Sequence, residues 1–303
     1  MSMKGKKKLT SIPSSAADKI FDMLNLIFMI MICLAIVYPL YYVLIASFTE
    51  PHIVNSGKLL LYPEKIFLGG YQRIFNYSPI WQGYKNTIIY TVVGTIISLV
   101  VTVPAAYALS RKDLVFRRFL IFLFTFTMFF SGGLIPLYLV IRGLKIYNTI
   151  WAIVLPSSVS VWNLIICRSF FESSIPNELL EAARIDGCTD YGFFFRIVLP
   201  LSSTIITVMI LFYSTAMWNS FMNALMFLGD ADKMPLQVIL RNLILVNQAS
   251  NLTVDASEMI MRQKLAEQLK YGVIVVAALP LLVCYPFLQK YFAKGVMVGA
   301  VKG

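Results

Sequence analysis

Glu178 to Pro200 reads ELLEAARIDGCTDYGFFFRIVLP, a charged island between two long apolar runs. Pro176, just upstream, suits the first turn of a helix, where its missing N–H costs nothing. Glu178 then sits near the positive helix N-terminus, and Gly187 can supply a left-handed stop. The spacing predicts a helix of about eleven residues, marginal on its own in water. Leu179, Ala182, Ala183 and Asp186 fall on one face at i, i+3, i+4, i+7 spacing. The paired alanines make that face shallow, so another surface can approach closely. Thr189 or Asp190 caps a second turn that runs through Phe193–Phe195 into Pro200. A helix this short has to dock on something.

The flanking runs set the fold class. Six segments contain no Asp, Glu, Lys or Arg: 23–49, 86–110, 119–141, 146–167, 197–229 and 271–289. A helix needs about 20 apolar residues to cross a bilayer. Hydrophobic residues make up 58% of the chain and charged ones 14%, whereas in a soluble domain about a quarter are charged. The sequence therefore predicts an all-α polytopic membrane protein with six transmembrane helices. A basic cytoplasmic tail covers 1–20 and a six-helix domain covers 21–288. That domain carries a cytoplasmic loop at 169–199 and external loops at 50–84 and 229–270. A second cytoplasmic tail covers 289–303. Membrane lipid is the implied surround.

The net charge of +11 follows from topology rather than from nucleic acid. With the N-terminus inside, 15 of the 26 Lys and Arg residues lie on cytoplasmic segments. The short loop Arg111–Arg118, RKDLVFRR, is the decisive one. Both termini and the 169–199 loop are thus expected at the cytoplasmic face.

The spans are irregular. The third, from about Phe119, contains Ser131-Gly132-Gly133-Leu134-Ile135-Pro136, which implies a kink or an unwound turn. The fourth, about Thr149 to Cys167, is broken at Pro156. The charge-free run after Pro200 exceeds one crossing and predicts re-entrant structure around Trp218–Leu228. A helix is expected at Leu236–Leu245 and another entering from Ser257. The last span, about Tyr271 to Phe287, carries Pro280 and Pro286.

No catalytic set is visible. His52 is the single histidine, which excludes histidine triads and multi-histidine metal sites. Cys33, Cys167 and Cys284 lie in apolar runs and Cys188 stands alone in a loop, so neither a disulfide framework nor a metal site is predicted. GxxxxGK[ST] and GxGxxG loops are both missing, so the chain does not bind ATP by those means. Charge-free spans argue against a proton-coupled carrier, although carbonyls and hydroxyls could still hold sodium. Energy is better supplied from outside the membrane. A wet path for a hydroxyl-rich solute would need amides, hydroxyls and aromatic faces. Ser157, Ser160, Trp162 and Asn163, then Tyr213, Trp218, Asn219 and Asn223, supply them. The same residues could equally serve as interfacial anchors or interhelical contacts.

The spacing also carries a resemblance. Glu181-Ala182-Ala183, three residues, Gly187, nine residues and Ile197-x-Leu199-Pro200 resemble the EAA loop of ABC importer permeases. Asp186 fits the sugar-importing branch, while Cys188 stands where a small residue such as alanine is common. AYALSR at 106–111, GGLIPLYLVIRGLKIYNTIWAIVLP at 132–156, IPNELLEAARIDG at 175–187 and QKYFAKGVMVGAVKG at 289–303 extend the likeness to carbohydrate-type permeases. The Gly-Gly-Leu-Ile-Pro element and the long outer loop look most like the LplC/YtcP-like subgroup, linked to oligosaccharides and polysaccharide fragments.

This resemblance implies a type I importer half-channel in a bacterial plasma membrane. Its partners would be a second homologous permease, two cytoplasmic ABC ATPase subunits and an extracellular solute-binding lipoprotein. The chain itself would hold no cofactor, ATP and Mg being used by the ATPase. Glu181 would orient the coupling helix, Ala182 and Ala183 would permit close seating, and Gly187 would allow the turn. Asp186, Leu199 and Pro200 complete the coupling motif. As in maltose-type permeases, Gly295, Gly299 and Lys302 in the tail would contact the ATPase. The alternatives are a permease for peptide or polyamine, or an ATP-independent channel in which 178–200 is a passive connector.

Overall fold

The computed structural model describes residues 15–56, 61–249, 267–283 and 286. Helix α1, Ala16–Phe48, opens with a capping box: Ser15 Oγ accepts from the Ala17 and Asp18 amides, and Asp18 accepts from the Ser15 amide at 2.8 Å. These bonds satisfy amides that a helix start leaves orphaned. Along α1 only Ile45, Ala46 and Ser47 are buried, so its apolar length faces outward on all sides.

The segment after α1, expected to be an ordered external loop, holds α2, Pro51–Asn55, and α3, Gly69–Asn76. A single antiparallel bridge joins Thr49 to Ile66. Helix α4, Ser78–Ser110, starts eight residues before the expected Asn86 and is the column on which the others lean. Its buried face is made of small and hydroxyl residues, among them Gly83, Thr87, Gly94, Ser98 and Thr102. With little side-chain volume on that face, neighbouring backbones come close.

The expected third span is not a kinked rod. Helix α5, Arg117–Phe129, and α6, Leu134–Gly143, meet at 114°. Gly133 sits between them at φ +81 and ψ −174, a region open essentially to glycine alone. The break at Pro156 is wider than one turn: α7 is Ile150–Val154 and α8 is Val161–Ser174. Helix α9, Asn177–Ile185, is followed by α10, Asp190–Phe193. A π-turn over Phe194–Val198 then leads into α11, Leu199–Leu201. Pro200 offers no N–H to the carbonyl four residues back, which accounts for the loosened turn before it.

Helix α12, Ser203–Trp218, bends by 79° from the α10–α11 segment. Helix α13, Phe221–Phe227, then forms the short structure expected around Trp218–Leu228. Helix α14 is Leu236–Ala249, and residues 267–283 form a last helix, α15. Among the described residues, two helices are long and apolar enough to cross a membrane, or up to four if each bent pair is one span. The sequence predicts six; α8 spans 14 residues, and α15 is described over 267–283.

Two cores grip opposite ends of α4. At its C-terminal end Val103, Ala106 and Leu109 pack with Phe171, Phe193 and Val198. Beside its N-terminal end Ile74, Ile80, Trp218, Leu236 and Leu243 pack with Val273.

Candidate functional site

The 178–200 segment is seated on the C-terminal core through Leu180 and Ala183, which are 7% exposed each. The face expected from spacing alone is therefore split. Ala183 points into the protein, Leu179 is half-buried, and Ala182 and Asp186 are exposed. Leu180 and Ala183, an i, i+3 pair, belong to the buried core that includes Leu109 of α4 and Phe171 of α8, and this leaves Ala182 outward. Ile185 at 87% and Tyr191 at 82% exposure stand on the outer surface, beside Glu181 and Phe195.

The helix stop has the form read from sequence. Gly187 adopts φ +76; its amide donates to the Arg184 carbonyl at 3.1 Å, and the Cys188 amide to the Ala183 carbonyl at 2.8 Å. These two bonds are a Schellman closure. Thr189 Oγ1 accepts from the Gly192 amide at 3.1 Å and starts α10. Leu199 is half-buried and Pro200 exposed at the bend. The tail residues Gly295, Gly299 and Lys302 lie outside the described residues, as does the start of the helix expected from Ser257.

Sequence reading missed how this segment is tied to its neighbours. The basic loop RKDLVFRR, read for topology, ties it and the neighbouring α8 together. Arg111 donates to the Asn177 side chain. Arg184 pairs with Asp113 at 3.5 Å and Asp190 at 3.2 Å, and the Asp190 bond holds its guanidinium above its ordinary range. Arg117 and Arg168 both pair with Glu172, the latter at 2.7 Å, and both donate through Nε to the Leu109 carbonyl. Tyr107 holds its ring 5.1 Å from that of Phe194, tilted by 39°, and lies under Arg111. The C-terminus of α4, α8 and the 178–200 segment thus form one rigid joint. The signal was available only as side-chain pairing across 66 and 55 residues, which no local pattern encodes.

Farther along α4 a cavity of about 880 Å³ opens between α4, α8 and α12. Ser157, Ser160, Trp162, Asn163, Tyr213, Trp218 and Asn219 line it, seven of the eight residues singled out for a solute path. The eighth, Asn223, does not line it but donates to Ser157 Oγ at 3.0 Å. Thr91, overlooked in the sequence, lines it from α4. The Tyr213 hydroxyl lies 2.6 Å from Thr102 Oγ1 and accepts from the Ser160 amide at 3.3 Å. The Trp218 indole N–H is buried and has no hydrogen-bond partner among the described residues. Among the described residues no Asp, Glu, Lys, Arg or His lines this cavity, whose wall is mostly apolar with hydroxyls, amides and aromatic faces set into it.

Comparison with known proteins follows the same line. Residues 79–298 match the family described as the binding-protein-dependent transport system inner membrane component. The chain is 44% identical over 287 residues to the polygalacturonan/rhamnogalacturonan transport system permease protein YtcP of Bacillus subtilis, across 94% of this chain and 99% of that protein. It is 38% identical over 291 residues to protein LplC of Bacillus subtilis, across 96% and 97%. The arabinooligosaccharides transport system permease protein AraQ of Halalkalibacterium halodurans is 29% identical over 272 residues, across 88% and 91%. Among solved structures, a bacterial ABC transporter involved in the import of the acidic polysaccharide alginate contains a chain with TM-score 0.81 and 32% identity. The match covers 93% of this chain and all of that one.

Proposed function

This chain belongs to the binding-protein-dependent transport system inner membrane components, and we propose that it is the permease subunit of an ATP-driven carbohydrate importer. It has the type I importer permease fold and is a transport component rather than an enzyme. The solute in this reading is an oligosaccharide or polysaccharide fragment, as for the relatives named above. The observation that carries the reading is one of connection. The same two helices, α4 and α12, wall the larger cavity and run into the tied joint that presents Glu181, Ala182 and Ile185 outward.

In this reading a cytoplasmic ATPase seats on that outward surface, with Gly187 setting the angle of the seat. ATP and Mg stay with the ATPase, which exists in two copies. A second, homologous permease completes the channel, and an extracellular solute-binding lipoprotein delivers the sugar. Closure of the ATPases drives α9, and the Arg184–Asp113 and Arg111–Asn177 contacts pass that motion to α4. The bend at Ser202 passes it to α12. Both cavity walls then move together, which is alternating access. Both termini and the 178–200 surface face the cytoplasm.

The test compares wild type with Gly187→Asp by affinity recovery from solubilised membranes and by uptake of labelled oligosaccharide. Wild type recovers an ATPase and accumulates sugar; the variant stays in the membrane but loses both. Recovery of no ATPase by wild type refutes the reading and leaves a passive facilitator.

A further inference from the structure

A second cavity, of about 460 Å³, adjoins the first and shares Trp218, Asn219 and Leu281 with it. It lies toward the N-terminal end of α4, opposite the 178–200 surface, because α14 crosses α4 at Gly83. Its walls differ in one respect from those of the first: Arg241 lines it. The guanidinium stands 6.0 Å from the centroid of the Phe221 ring. Among the described residues Arg241 forms no ion pair. Its neighbour one turn back, Gln237, lines the same cavity and is fixed by donating its amide to the Trp218 carbonyl. The fixed Gln237 amide, the Trp218 indole and the Arg241 guanidinium thus line one cavity, which meets the first at Trp218 and Asn219.

A guanidinium recognises planar anions through two parallel N–H bonds, and an aromatic face suits the C–H side of a sugar ring. We infer that Arg241, with Gln237 and Trp218, forms a subsite for the carboxylate of a uronic acid residue, on the outer approach to the neutral cavity. The substrate class is then an acidic oligosaccharide. The inference rests on the importer reading above and deepens it. It agrees with the chemistry of two similar proteins, named for polygalacturonan and for the acidic polysaccharide alginate. The neutral cavity beyond would take the hydroxyls of whichever residue lies ahead, so the charge is met once and need not be carried through the path.

The test uses the importer purified whole through this chain, freed of its binding protein and trapped with ATP and vanadate. Two probes are titrated: trigalacturonate and its fully methyl-esterified form. Wild type is expected to prefer the acid about tenfold, the size of one charge-assisted contact. Arg241→Gln erases the preference without changing affinity for the ester, and Arg241→Lys keeps part of it. Equal weakening of both probes by Arg241→Gln overturns the subsite. So does equal binding of acid and ester by wild type, which leaves the carbohydrate reading standing. Binding of neither probe by wild type sinks both. Loss of co-purified anionic phospholipid in Arg241→Gln, with the acid preference intact, reassigns the arginine to a lipid headgroup and overturns the inference.

Discussion

The hydroxyls of Tyr213 and Thr102 lie 2.6 Å apart, both side chains being almost fully buried. This bond joins α12 to α4 beside the larger cavity, which Tyr213 lines. Tyr213→Phe leaves Thr102 and the Ser160 amide without that partner, and the expected cost is about 1 kcal/mol. Thr102→Val in the same background removes the orphaned hydroxyl. The double variant should then melt above the sum of the two single losses, as a double-mutant cycle by thermal unfolding would measure. Strict additivity would mean that the bond does not couple the two helices.

Gly187 has open space around its missing Cβ but a φ of +76. Backbone strain and not a clash is the penalty for any side chain there. Gly187→Ala should cost about 1–2 kcal/mol, and Gly187→Asn less, because asparagine tolerates the left-handed region better. Uptake assays on membranes with matched protein levels should rank wild type above Asn and Asn above Ala. Equal activity of all three would show that the turn is not needed.

Glu172 neutralises two guanidinium groups that otherwise face each other. With side chains between 18% and 32% exposed, solvent screens the network only in part. Glu172→Gln should destabilise by about 1–2 kcal/mol. Arg117→Gln in that background should recover part of the loss by removing the like-charge repulsion. A drop in melting temperature for the single variant, unrelieved in the double, would argue against the network.

Two glycines on α4 mark close approaches of different kinds. A Cβ at Gly83 would come within 3.0 Å of the Leu236 Cα, which is backbone, whereas at Gly94 it would meet Met217 alone, the sulfur at 2.6 Å. Methionine yields and a helix backbone does not. Gly83→Ala should therefore cost about 1–3 kcal/mol and resist rescue, while Gly94→Ala should cost less and recover with Met217→Leu. Thermal unfolding of the three variants in detergent decides; a larger loss at Gly94 would contradict the geometry.

The membrane class, the helix stop at Gly187, the break at Gly132–Gly133 and the set Ser160, Trp162, Asn163, Tyr213, Trp218 and Asn219 were legible in the amino-acid sequence. Each of these depends on local chemistry: runs without charge, a residue able to adopt positive φ, or polar groups placed where apolar ones are expected. Tertiary structure decided the rest. Which alanine of the 182–183 pair turns inward depends on where α4 and α8 lie, since neighbouring helix positions differ by about 100° and only packing chooses between them. The 114° reversal in the third segment depends on α6 finding its contacts, among them Phe227 against Tyr138. The Arg117–Glu172 and Arg184–Asp113 pairs are long-range pairings. Their partners are set by the crossing of helices far apart in the chain, so the spacing of residues along it carries no trace of them.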